Sequence, residues 1–590
     1  MKIPITGALF VQRMDRRVAT TVIAANSPDS GDQYVWRHYT HWPGGAPKRL
    51  TYPKTSLLYN IEVSARRFPD KTCLNFYGHL TSYAEAAAQI DALAGWLQRV
   101  AGVRKGDRVV LNLQNSPQFV IAFYAVLRTD AVVVPINPMS KIDELRHYVT
   151  DADARVAIVA QDTFHQLSPL LGGAPLERVL VVTYSDYLPA DETTAAVFAP
   201  PPVISAPARP LDHPACTTWR DALLAAQAPN PHTAGPDDMA CLTYTSGSTG
   251  EPKGCIHTHA TMMAAALMFA WWENCGPDMV SLAAMPFFHV SGMSGTMNAS
   301  LYRGWTIVIM SRWNPTAAAR LIERFGCSRW CAITTMVADL LECPESGTRE
   351  LSSMRFVSGG GAAMPEAIAQ RLTDTLGLEY IEGYGMTEFM GPTHMNPPGR
   401  VKHQCMGIPI FDTEARVIDL DTGGVLGPGT QGEIVIRGPQ MTVGYWKHPQ
   451  ATADALITLD GRPFLRTGDI GYMDEDGYFF INDRLKRMIN AAGYKVWPVE
   501  VENLFYQHPA IQECCVIATP DERRGESVKL VALIKAGHQA VDGEALIAWA
   551  RKRMANYKIP RVVEFVDALP RSGTGKIQWR VLQDREFGRT

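Results

Sequence analysis

From Thr243 to Gly254 the chain reads Thr-Tyr-Thr-Ser-Gly-Ser-Thr-Gly-Glu-Pro-Lys-Gly, a run rich in side chains that donate hydrogen bonds or carry charge. Gly247 and Gly250 let the backbone bend tightly and approach a ligand. The hydroxyls of Thr245, Ser246, Ser248 and Thr249, the amides freed by the turn and the Lys253 ammonium would then face one space. Converging donors of this kind make an anion cradle suited to a polyphosphate. A solvated Gly/Ser/Thr linker is the plainer alternative. A linker, however, would not need the apolar run Met239–Leu242 before it and an apolar helix from Met262 to Trp272 after it. Two familiar phosphate loops are excluded. Lys253 follows Gly250 too closely for a G-x-x-x-x-G-K-[ST] loop, and no G-x-G-x-x-G opens a helix after the first strand.

Further on, Tyr380-Ile-Glu-Gly-Tyr-Gly-Met-Thr-Glu388 offers the chemistry a nucleotide needs beyond its phosphates. Tyr384, between two glycines, can turn its ring onto a purine face. Thr387 offers a hydroxyl to an α-phosphate, and Glu388 a carboxylate to Mg²⁺, a hard cation that takes carboxylate and phosphate oxygens together. Upstream, Phe356-Val-Ser-Gly-Gly-Gly-Ala-Ala-Met-Pro365 reads as a strand running into a glycine turn before a helix. Its glycines serve either close packing or a flat backbone surface for the base. Asp469, in Arg466-Thr-Gly-Asp469, is read as a carboxylate on a turn, suited to accept two ribose hydroxyls.

These groups need a scaffold, and the pattern supplies one. Ile90, Leu93, Ala94 and Leu97 recur at helical spacing; Arg108–Leu113 and Ala131–Ile136 read as strands, with Ser116-Pro117 capping the helix between them. Helix Ile142–Val149 and strands Arg155–Val159 and Val179–Thr183 continue the alternation, which implies crossovers and a mostly parallel sheet. The fold class is α/β. Residues 1–50 show little periodicity and read as an extension, and the Pro/Ala-rich stretch 188–236 reads as a long loop or insertion. Glu414–Arg437, with Gly423-Gly424 at its centre, suggests a smaller antiparallel subdomain. After the charged junction Asp483–Arg487 a compact pattern follows: helix Val499–Tyr506, strands Cys514–Ala518 and Lys529–Ile534, and helix Gly543–Met554.

At 590 residues, 46% hydrophobic and 19% charged, the chain fits a large domain plus a smaller one with a sizeable core. A net charge of -3 gives no electrostatic case for a nucleic-acid partner. No apolar run reaches the length of a membrane-spanning helix, and the first residues lack a signal-like apolar core. The 11 cysteines are scattered without a C-x-x-C pair, which argues against a zinc site or disulfide framework and for a cytoplasmic setting.

The order of these stretches resembles the adenylate-forming superfamily, from the phosphate loop through Gly-Tyr-Gly-Met-Thr-Glu388 to Leu569-Pro-Arg-Ser-Gly-Thr-Gly-Lys576. The likeness spans residues from about 50 to 580, and through Phe464–Val501 it is nearest to bacterial medium- and long-chain fatty-acyl-CoA synthetases. It implies a large domain of parallel α/β sheets with a small antiparallel subdomain over 51–484, a mobile α+β domain over 485–590, and 1–50 as an N-terminal extension. It further implies that Lys576 is the catalytic lysine, that His289 in Met285-Pro-Phe-Phe-His-Val-Ser-Gly292 helps gate the acyl pocket, and that Asp469 and Arg484 contact the ribose. Gly360, Gly361, Glu382 and Gly383 join Tyr384 around the adenine, Lys486 is the hinge, and Ala492, Gly493 and Tyr494 line the pantetheine tunnel. Asn490 departs from the lysine more common at its position, although fatty-acyl members carry Asn there. Gly432–Pro439 and Thr442–Trp446 resemble a structural motif and receive no chemistry.

The implied activity is joining a fatty acid to CoA with ATP and Mg²⁺ in a monomer or homodimer, with peripheral membrane contact left open. An aryl-acid CoA ligase, an adenylate former serving a carrier protein and a nucleotide-binding pseudoenzyme scaffold are the alternatives. Met262, Met263, Met268, Phe269, Phe288, Val290, Met293 and Met386 would form an apolar acyl wall, unless Trp271 or Trp272 blocks it.

Overall fold

The computed structural model describes residues 37–589, apart from 174, 192–196, 212, 226, 246–251, 274, 362, 492–493, 522–524, 538–539 and 572–576, together with the side chains at 484, 486, 494 and 495. The fold is mixed α/β, as the alternation predicted. Among the described residues the strands form four sheets. In one, Arg108–Asn112, Val132–Pro135, Val156–Ala160, Arg178–Val182, Cys216–Thr218 and Met239–Thr245 run parallel. Its edge is completed antiparallel by Lys253–Thr258 and Gly444–Tyr445.

In the second sheet Thr72–Phe76, Thr306–Ile309, Val280–Ala283, Arg329–Cys331, Phe356–Gly360 and Tyr380–Met386 are parallel, and Gly391–Met395 and Ile408–Pro409 return antiparallel. The main core lies between these two sheets. It contains helix Pro117–Arg128, buried from Pro117 to Leu127 because it is apolar on every face. Ser116 caps that helix by accepting from Phe119 N–H at 3.2 Å, with Pro117 at the first helical position, as the sequence predicted. Helix Tyr83–Arg99 starts with a reciprocal capping box between Ser82 and Glu85.

Glu414–Ile418 and Gly432–Arg437 pair antiparallel, and Arg462–Met473, Leu456–Leu459 and Phe479–Arg484 complete that sheet. The fourth sheet, built on Ile511–Asp521 and Gly525–Ile534, closes a separate core with helices Pro498–Phe505 and Gly543–Arg551.

One expectation changes. The stretch 188–236 is more than a loop: it contributes helix Pro202–Ser205, strand Cys216–Thr218 and helix Trp219–Leu224, and buries Phe198, Ile204 and Trp219. Buried apolar residues spaced among the prolines account for this. Within the N-terminal extension, residues 37–50 dock firmly. Arg37 pairs with Glu475 at 2.6 Å, Arg400 donates to the Thr40 carbonyl, and the Trp42 ring meets Trp272 and Phe411 edge-on at 5.1 and 5.4 Å. Asp412 accepts from Leu50 N–H and the Tyr52 hydroxyl.

Candidate active site

The phosphate-loop stretch is a hairpin. Met239–Thr245 and Lys253–Thr258 pair antiparallel with Thr245 opposite Lys253. Ser246, Gly247, Ser248, Thr249 and Gly250 lie outside the described residues. The Lys253 ammonium sits 5.7 Å from the centre of the Tyr445 ring.

The strand Tyr380–Met386 belongs to the second sheet. On one side it pairs with Phe356–Gly360, placing Gly359 opposite Glu382 and Gly360 opposite Gly383. On the other, Tyr384 is opposite His394. A Cβ on Gly359 would stand 1.7 Å from the Ala332 carbonyl oxygen, and one on Gly360 2.1 Å from that of Gly383. Close strand approach thus accounts for both glycines directly, and it leaves a backbone surface without side chains. Gly361 adopts φ 94°, a conformation that favours glycine.

Tyr384 and Asp469 come together. The Tyr384 hydroxyl donates to the Asp469 carboxylate, and the Tyr384 ring lies edge-on to His394 at 6.1 Å. Asp469 is only 2% exposed and stands within the strand Arg462–Met473, not on the turn the sequence suggested. Gly468 supplies the irregularity at φ 69°, and the sheet's pairing continues on both sides of it. Arg484 is opposite Asp469 in the neighbouring strand; its side chain lies outside the described set.

Glu382 is buried near the start of the same strand. Met364 N–H approaches its carboxylate at 3.4 Å. Burial pushes the carboxyl up to about 8, against the pull of the Met364 and Gln404 backbone donors.

At the other end, Thr387–Phe389 makes a single 3₁₀ turn. Three bonds hold it. Thr442 N–H donates to the Glu388 carbonyl at 2.6 Å, the Tyr445 hydroxyl to Glu388 Oε1 at 2.9 Å, and His257 Nε2 to the Thr387 carbonyl at 2.8 Å. His257 is fully buried, and burial lowers its pKa to about 4, so the imidazole is neutral. A carbonyl only accepts, so the proton is on Nε2; Nδ1 faces Thr261 Oγ1 at 3.3 Å. Burial raises the Tyr445 hydroxyl well above its usual range, and the Glu388 charge raises it further, so the phenol stays protonated as the donor.

Tyr445 and His257 are the residues that sequence reasoning missed. Thr442–Trp446 had been given no chemistry, yet its tyrosine joins the carboxylate expected to hold Mg²⁺ to the hairpin lysine. Neither contact has a signature in spacing, since His257 and Thr387 are 130 residues apart. Glu388 would suit Mg²⁺ as a single hard carboxylate, a cation that takes phosphate and water oxygens together with carboxylate.

His289 is not brought into this cluster by any described bond. Its Nδ1 lies 2.7 Å from Ser291 Oγ, at the start of the π-helical stretch Ser291–Asn298. The proposed acyl wall divides. Met262, Met263, Val290 and Met293 share the main core, whereas Met268 packs with Trp42, Trp272 and Phe411. The Phe269 ring fills the space beside Gly295 and Gly391, where added Cβ atoms would stand 3.1 and 3.3 Å from it. Trp272 is tied down by its Nε1 donating to the Asn396 carbonyl at 3.0 Å. Lys486 lies in the turn Leu485–Arg487 and Tyr494 in the strand Tyr494–Val496, described by backbone only. Lys576, Ala492 and Gly493 lie outside the described residues.

Residues 61–446 match the AMP-binding enzyme model, and 500–576 the AMP-binding enzyme C-terminal domain. The chain belongs to the AMP-binding enzyme family. Among its curated relatives is a long-chain-fatty-acid–CoA ligase of Bacillus subtilis (strain 168), 35% identical over 92% of this chain and 97% of that protein. A feruloyl-CoA synthase of an Amycolatopsis species is also 35% identical, over 87% of this chain and 95% of that one. Among solved members, ATP-bound MatB from Rhodopseudomonas palustris superposes with a TM-score of 0.75 at 26% identity, covering 90% of this chain and 100% of that one. No described helix is long and apolar enough to cross a membrane.

Proposed function

We propose that this AMP-binding enzyme is an AMP-forming acid–thiol ligase that joins a fatty acid to CoA through an acyl-adenylate. The observation that supports it most is the pair of groups along Tyr380–Met386 and the turn after it: a ring bonded to a buried carboxylate, and a Thr–Glu turn bonded toward the lysine-bearing hairpin. A nucleoside suits the first and a triphosphate the second, and the Rhodopseudomonas palustris relative is ATP-bound.

In the first half-reaction an oxygen of the acid bonds to the α-phosphorus, and the bond to pyrophosphate breaks. Thr245, Ser246, Gly247, Ser248, Thr249, Gly250 and Lys253 hold the departing phosphates, Thr387 bonds the α-phosphate, and Glu388 holds Mg²⁺. The metal, when bound, supplies charge neutralisation at the phosphates. Gly360, Gly361, Glu382, Gly383 and Tyr384 surround the adenine, and Asp469 and Arg484 the ribose. The Lys576 ammonium offsets repulsion between the acid and the phosphate as they meet. Residues 485–590 then turn about Lys486 against 51–484, withdrawing Lys576 and bringing Ala492, Gly493 and Tyr494 to the pantetheine. The CoA thiolate attacks the carbonyl, the thioester forms and AMP leaves with the bonding electron pair. The reaction is assigned to the cytoplasm, where ATP and CoA are at hand.

Met262, Met263, Val290 and Met293 pack in the main core, and support for an aliphatic acid comes from the long-chain-fatty-acid–CoA ligase relative. The feruloyl-CoA synthase keeps an aryl acid as the second reading. A series of acids with pyrophosphate release as readout separates them. Each CH₂ should improve KM about fourfold, for about 0.8 kcal/mol of burial, from butanoate until the pocket is full. A flat series with ferulate preferred replaces the aliphatic reading by the aryl one. No pyrophosphate with any acid ends the ligase reading.

A further inference from the structure

We propose that Tyr445 is a positioning residue for the metal–phosphate pair, setting the plane of the Glu388 carboxylate with its hydroxyl and the place of the Lys253 ammonium with its ring. The inference rests on the functional reading above, in which Glu388 holds Mg²⁺ and Lys253 a phosphate.

The backbone fixes Tyr445 before its side chain acts. Gly444–Tyr445 pairs antiparallel with the hairpin's second strand, with Tyr445 opposite Cys255. Trp446 N–H donates to the Gly254 carbonyl at 2.8 Å, and Tyr445 N–H to Thr452 Oγ1 at 2.9 Å. Gly444 stands at φ 146°, and a Cβ there would meet Thr452 at 2.9 Å, so the turn that aims Tyr445 requires glycine. From this anchor the phenol reaches Glu388 Oε1 at 2.9 Å while the ring lies under Lys253, 5.7 Å from centroid to ammonium.

An ionised carboxylate only accepts, so the phenol donates and the direction of the bond is fixed. Holding one carboxylate oxygen sets the plane of both. The opposite charges of Lys253 and Glu388 are thereby kept at a defined separation by one rigid ring, which has only two side-chain torsions to order. The two halves of the ligand site, one on the hairpin and one on the Thr387–Phe389 turn, are joined through this side chain.

The test separates hydroxyl from ring. Tyr445→Phe keeps the ring over Lys253 and loses the donor; Tyr445→Leu loses both. ATP uptake is measured calorimetrically at stepped Mg²⁺ concentrations, alongside thermal melting of the ligand-free proteins. Tyr445→Phe is expected to stay folded, melting somewhat below the parent, and to bind ATP nearly normally at saturating Mg²⁺, with half-saturating Mg²⁺ raised about tenfold, as when a metal ligand loses its orienting partner. Tyr445→Leu should lose a further few-fold in ATP affinity even at saturating Mg²⁺. A Tyr445→Phe curve that overlays the parent's overturns the proposal, as does an equal loss in both variants. If Tyr445→Leu does not fold, the Tyr445→Phe curve decides alone. A parent chain that takes up no ATP with Mg²⁺ overturns the functional reading itself.

Discussion

Glu382 lies near the start of the strand Tyr380–Met386 and Glu388 just beyond its end; both are buried, but their surroundings differ sharply. Glu388 receives a phenol hydroxyl at 2.9 Å, and its backbone is held by Thr442 N–H. Met364 N–H approaches the Glu382 carboxylate at 3.4 Å, and burial raises that carboxyl to about 8. The lesson is that burial does not by itself decide what a carboxylate is. A short donor beside it helps keep it ionised and usable by a cation, whereas weak donors let the proton stay. Near neutral pH the strand thus presents a neutral acid where the adenine is proposed, and the turn after it a carboxylate held by a phenol donor where Mg²⁺ is proposed.

The comparison breaks most visibly at Glu388. Glu388→Gln keeps the size and removes the charge, and should lower kcat/KM for pyrophosphate release by about 10²-fold or more. A loss under tenfold would make the ionised end no more important than the neutral one.

Glu382→Gln sharpens the other end. Because the folded carboxyl titrates at about 8 and the unfolded one near 4.5, folding takes up protons between those values. The contribution to stability is fully present below the lower value and is lost as pH rises toward the upper one. The slope is up to about 1.4 kcal/mol per pH unit. Urea midpoints from pH 5 to 8 should fall more steeply for the parent than for Glu382→Gln, and parallel curves would contradict a neutral Glu382.

The glycines and the chemistry-bearing residues of Gly-Tyr-Gly-Met-Thr-Glu388 were legible in the sequence, whereas the strand Tyr380–Met386 and its register, set by pairing with Phe356–Gly360 and Gly391–Met395, were not. Also legible were the cap at Ser116-Pro117 and the helix that begins at Gly543, where turn chemistry and periodicity agree. What holds the Thr387–Phe389 turn was not legible, because His257, Thr442 and Tyr445 reach it through space from distant parts of the sequence. The short elements within 188–236 were hidden for a related reason. Proline and alanine set the local signal there, while scattered Phe198, Ile204 and Trp219 set the packing.

His257→Leu gives the smallest of these effects and probes that non-local support. Leucine fills the buried site but leaves the Thr387 carbonyl without its donor, a loss of about 1–3 kcal/mol. The urea midpoint should drop and KM for ATP rise together. A lower midpoint with KM unchanged would make His257 a core residue with no bearing on the turn.

The docked segment 37–50 has a consequence for how the chain is made. The Arg37–Glu475 contact joins residues 438 apart in sequence. At the roughly 5–20 residues per second of ribosomal synthesis, Arg37 is finished about 20–90 s before its partner. On the same scale Trp42 waits about 10–50 s for Trp272 and about 20–70 s for Phe411, so an early segment of the nascent chain docks among the last.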